Sequence, residues 1–185
     1  MRLKSKWHKK GKARDPEEQG GALGFILWGI AVDRVKHMEQ NNFKIDLPQE
    51  TLAVISEVLA FLIQAVDRLI FDQVDDDTRG RIINATAHHL DDTIQDNARD
   101  LLGVEDYGHF FEILNDRLNQ YAEWPWEDDE PGYSHRRLLG QSVAEAVSEI
   151  DPRFVAEQII EVEAPEAMAL LRRGLGNLFE TAGED

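Results

Sequence analysis

The chain has 185 residues, no cysteine and a net charge of −16. That length suffices for one ordinary domain burying roughly 70% of the surface of its unfolded chain, so no metal or disulfide staple is required. The absence of cysteine excludes disulfides, thiolate zinc sites, iron–sulfur clusters and cysteine nucleophiles, and fits a reducing cytoplasm.

Charge divides sharply along the chain. Residues 1–14 carry seven Lys/Arg and no acid, whereas the other 171 residues carry 13 basic and 36 acidic groups. An acidic body repels phosphate backbones, so nucleic-acid binding through it is excluded. The basic arm reads as a solvated N-terminus, with contact to nucleic acid, anionic lipid or an acidic protein surface as its functional reading.

The apolar run at residues 21–32, GALGFILWGIAV, follows a basic segment as a signal-peptide core would, and Gly29 and Ala31 imitate a cleavage site. Asp15, Pro16, Glu17 and Glu18 intervene, however, and the apolar pattern continues through Val35 and Met38. Twelve apolar residues are also too few to span a bilayer. These residues instead predict a first helix to about residue 40, with Asp15 as its cap and Pro16 in its first turn. Gly20 and Gly24, four residues apart, mark a close helix crossing. Arg34 projects from the apolar face of this helix, with His37 at its edge.

Residues 51–71, TLAVISEVLAFLIQAVDRLIF, are apolar on nearly every face. Such a helix must be wrapped by others, so it is expected at the centre of a bundle. Asp46, Leu47 and Pro48 open it and it ends near Asp72. Glu57, Gln64 and Arg68 fall on one stripe. Two readings of that stripe follow: Glu57 pairs with Arg34, or the stripe lines a ligand pocket. A buried charge requires such a partner.

Asp75, Asp76 and Asp77 open a third helix, which Gly103 ends. Its expected buried face is Ile83, Ala87, Leu90, Ile94 and Leu101. His88, His89, Asp91, Asp92 and Asp96 form its candidate metal set. Asp91, Asp92 and Asp96 make a DDxxxD pattern of the kind on which helical isoprenoid synthases hold magnesium and a substrate diphosphate. The second acidic motif that such enzymes need is missing from this sequence, and Asp92 and Asp96 point away from the apolar face. The competing reading is a solvated acidic surface.

A fourth helix is expected at about 105–123. Residues 124–132, WPWEDDEPG, form a loop. There Trp124, Trp126 and Tyr133 surround Glu127, Asp128 and Asp129, a combination suited to a basic protein partner. The alternative is that the Trp rings fold onto the bundle. Ser134 is the expected cap of a fifth helix to about residue 150, Asp151 and Pro152 open a sixth, and Ala164 and Pro165 a seventh to about 179. His109 and His135 stand alone.

The order of basic arm, apolar first helix and acidic third helix resembles that of small all-helical bacterial proteins of unknown function, a resemblance that implies no activity.

The sequence therefore predicts an all-α fold. The boundaries are an arm at 1–14, one helical domain of six or seven helices at 15–180, and a tail at 181–185. The leading functional expectation is a cytoplasmic, non-enzymatic protein that binds a protein partner or itself, with no cofactor and no transmembrane segment. The alternatives are a hydrolase or transferase on a phosphorylated substrate, dependent on a divalent metal at the third helix, and a small-molecule or lipid carrier with a cavity beside the central helix.

Overall fold

The computed structural model describes residues 15–45, 47–148 and 150–179. The expected arm, the expected tail and Asp46 lie outside these residues. The helices are α1 (Pro16–Gln40), α2 (Pro48–Leu69), α3 (Asp76–Leu102), α4 (Phe110–Tyr121), α5 (Tyr133–Ala146), α6 (Pro152–Gln158) and α7 (Ala164–Phe179). A π-helical turn, Ile159–Glu163, joins α6 to α7. Six helical rods thus form a single all-α bundle, without strands among the described residues.

Composition explains the centre. Leu52, Val54, Leu59, Phe61, Leu62 and Ile63 of α2 are almost wholly buried. The helices α1, α3, α4, α5 and α7 all pack against it. Burying a Leu, Ile or Phe side chain contributes about 1.5–3 kcal/mol, and α2 has the densest run of them.

Helices α1 and α3 run in the same direction. Arg81 grips Glu17 at 2.7 and 2.9 Å. Further along, the Thr86 hydroxyl donates to the Gly20 carbonyl at 3.2 Å. A Cβ on Gly20 would lie 2.5 Å from the Ala85 Cβ, and one on Gly24 would lie 2.5 Å from the His89 ring. Both glycines therefore serve the close crossing. The caps also follow the sequence. Asp15 accepts from the Glu17 N–H, Asp75 from the Thr78 N–H, and Gly103 ends α3 with a left-handed φ of 67°.

Other expectations need correction. Arg34 does not meet Glu57. It binds Asp33, Glu163 and Glu166, because α7 covers that side of α1. Leu101 is 54% exposed, and the buried face of α3 is instead Ile82, Thr86, Ala87, Leu90, Ile94 and Ala98. Helix α4 starts only at Phe110, since Tyr107 N–H donates to the Gln95 side chain and Gly108 N–H to Asp106. Gly132, not Ser134, precedes α5, and α5 ends early because Glu50 captures the Ser148 N–H at 3.0 Å.

At the seventh helix there is no break. Pro165 lacks an N–H, and the chain widens for one turn rather than stopping. The Ala164 N–H reaches back five residues to the Ile159 carbonyl. Glu163 of this turn is 2% exposed and accepts from Gln158 at 2.8 Å, with the His37 ring also at 2.8 Å.

Candidate functional site

The C-terminal half of α2 and the end of α4 diverge to leave a cleft of about 360 Å³. Ile63 and Ile83 supply apolar wall, as does Leu118, while Trp124 supplies an aromatic one. Gln64, Asp67, Arg68 and Tyr121 supply the polar atoms. Helical phase accounts for the set. Gln64 and Arg68 are one turn apart on α2, and Leu118 and Tyr121 are three apart on α4, so each pair faces one way.

Asp67 is already engaged. Arg79 binds it at 3.1 Å, reaches Asp76 at 3.0 Å and lies over the Phe71 ring at 4.6 Å. Arg68 is exposed and has no ion-pair partner among the described residues. Gln64 is 7% exposed and Tyr121 0%. The Gln64 Oε1 and the Tyr121 hydroxyl are buried without a hydrogen-bond partner among the described residues. Burial pushes the Tyr121 hydroxyl far up from its ordinary range, and the Glu57 charge adds to this. A buried polar atom without a partner costs about 1–3 kcal/mol, so two in one cleft wall call for an explanation.

Behind the cleft lies His135, fully buried on the first turn of α5. Its ring stacks on Tyr121 with centroids 5.8 Å apart and planes 7° apart. Trp124 and Trp126 meet it edge-on at 6.0 and 6.4 Å. Among the described residues neither ring nitrogen has a hydrogen-bond partner of ordinary geometry. Burial lowers its pKa, Arg68 lowers it further, and Glu127 and the nearby Tyr121 carbonyl oppose the shift. The sequence held a signal for this residue. His135, Leu139, Ser142 and Val143 occupy one helical face of α5, and all are buried.

The acidic loop is a tight turn. Glu127 and Glu130 exchange backbone hydrogen bonds of 3.0 and 2.9 Å. Asp128 and Asp129 between them have φ of 49° and 61°, the pair of left-handed residues that a type I′ turn requires. Both Trp rings are half-buried, whereas Tyr133 is 54% exposed. Arg172 secures the turn through Glu130 at 2.8 Å and the Asp129 carbonyl.

The candidate metal residues are dispersed. His88 is exposed with its ring 5.1 Å from Phe111, and exposed His89 lies against Gly24. Asp91 is half-buried and Asp92 exposed, while Asp96 is held by Arg99 at 2.9 Å. Among the described residues no three His, Asp or Glu side chains converge as metal ligands, and no helix is long and apolar enough to cross a membrane.

Comparisons with models of protein families, with curated proteins and with solved structures find no match to this chain. The fold and the cleft therefore carry the functional reading by themselves.

Proposed function

We propose that this protein is a non-catalytic binder of a small organic ligand, held in the cleft between α2 and α4. The observation that carries this reading is the pair of buried polar side chains in the cleft wall, Gln64 and Tyr121, each with an oxygen that no described residue bonds. Both oxygens are sealed from solvent, so a ligand that draws the Gln64 side chain towards the cleft and bonds it recovers the free energy its isolation costs. The volume lies within the range of small-molecule sites, and the mixture of aliphatic wall, aromatic face and few polar groups is typical of them. His135 sits among aromatic rings rather than beside a nucleophile, so it offers no general base to a substrate.

A protein-contact reading of the acidic loop has less support. Trp124 and Trp126 turn inward onto His135, which leaves Tyr133 as the exposed aromatic of that set. The test is a fragment library screened by amide and indole NMR shifts. Hits that perturb Gln64, Tyr121 and Trp124, and that Leu118→Trp abolishes by filling the cleft, support the reading. Hits that scatter over the surface, or an absence of hits, defeat it.

A further inference from the structure

Resting on that reading of the cleft, we infer that its ligand is a compact ring-bearing carboxylate carrying a hydroxyl or amine. Three features of the wall specify three parts of such a molecule. Arg68 is the uncompensated charge of the cleft: Asp67 beside it is taken by Arg79, and no described acid pairs with Arg68. A guanidinium with free donors matches the two oxygens of a carboxylate, and such charge-assisted bonds are stronger than neutral ones. The half-exposed Trp124, which lines the cleft together with Ile63 and Ile83, suits a flat apolar body. The Gln64 Oε1 accepts only, and no described residue bonds it, so a ligand that reaches it brings a donor. The hydroxyl or amine is that donor. The volume of about 360 Å³ admits one ring with its substituents.

The experiment titrates the full chain with 4-hydroxybenzoate, benzoate and 4-hydroxybenzamide, following NMR shifts of Gln64 and Trp124. The hydroxy acid is expected to bind about 10- to 100-fold more tightly than its neutral amide, the ratio a charged hydrogen bond confers. Arg68→Gln, a change at an exposed position, should erase that preference. Gln64→Leu should erase the preference for the hydroxy acid over benzoate. Equal binding of acid and amide at the cleft would overturn the carboxylate assignment while the cleft remained a ligand site. Cleft binding of the library fragments, with none of the three probes shifting these residues, would overturn the whole ligand class. A cleft that neither the probes nor the library perturbs would overturn both readings.

Discussion

Glu57 of α2 and Arg117 of α4 meet in a two-pronged ion pair, with Arg117 Nε and Nη2 at 2.7 and 2.8 Å from the two carboxylate oxygens. Their side chains are 8% and 16% exposed. The pair closes α4 onto α2 where the cleft begins, six residues ahead of Ile63 on α2 and next to Leu118 on α4. Arg117→Ala strands the carboxylate in the interior and should cost about 2–3 kcal/mol, somewhat under the loss for a wholly dry pair because water still reaches the guanidinium. Replacing both residues by Leu should restore most of that loss. Urea melts of the three proteins measure it, and a double variant less stable than Arg117→Ala would contradict this account.

The glycines of α1 should separate by what surrounds them. A Cβ on Gly20 meets Ala85 and the Ile82 carbonyl, neither of which can move aside, so Gly20→Ala should destabilise by about 1–3 kcal/mol. At Gly24 the closest obstacle is the exposed His89 ring, which can rotate away while the His89 Cβ stays at 3.1 Å, and the cost should be smaller than at Gly20. Gly21 and Gly29 face open space, and Ala there should stabilise by about 0.5–1 kcal/mol through helix propensity alone. Thermal melts that fail to rank these four variants in that order would reject the close crossing.

His135 should make stability depend on pH. Its folded pKa lies below the ordinary value of 6.5, because burial and Arg68 oppose the cation. The unfolded chain therefore takes up the proton first. Stability is full above about pH 6.5 and falls as the pH drops from there through the lower folded value. His135→Phe, which keeps a ring in the box, should flatten this acid limb between pH 7.5 and 5. Parallel stability profiles for the two proteins would mean that His135 is protonated without cost.

The cleft should trade stability for binding. Gln64→Leu removes a buried oxygen that no described residue satisfies, and is expected to gain about 1 kcal/mol, or roughly 2–4 °C in Tm. A drop in Tm would show that this amide is structural.

The acidic α3 face should not respond to metals. Melts with Mg²⁺, Mn²⁺ or Zn²⁺ are expected to match the metal-free curve, and Asp92→Ala should stay within about 0.5 kcal/mol of the parent. A site saturated at 100 times its dissociation constant would stabilise by about 2.7 kcal/mol. A shift of that size, lost in Asp92→Ala, would place a metal on the helix.

Local rules made much of this fold legible. Asp15, Asp75 and Gly103 act at helix ends through their own neighbours, and α2 declares its burial through composition alone. Tertiary partners were not legible in the same way. Helical phase fixes which side of α1 Arg34 faces, but not that the π turn brings Glu163 and α7 brings Glu166 to it. For the same reason Glu57 could be recognised as needing a cation without Arg117 being identified. The inward turn of Trp124 and Trp126 depends on His135, a contact between a loop and the helix after it that no spacing encodes. The cleft draws on α2, α3 and α4 together, and only their packing creates it.

The π turn at Ile159–Glu163 sets the angular frame of everything after it. One residue more than an α-helix needs is wound into that turn, which offsets the following helix by about 100°. With that offset, Ala164, Ala167, Met168, Leu171 and Leu175 all face the core. Deleting one residue of the turn would leave a regular α-helix with the same apolar edge on the core, because the N–H that reaches the Ile159 carbonyl would then stand four places on rather than five. An added residue would instead swing that edge by about 100°, so the chain at this place can lose a residue more readily than it can gain one.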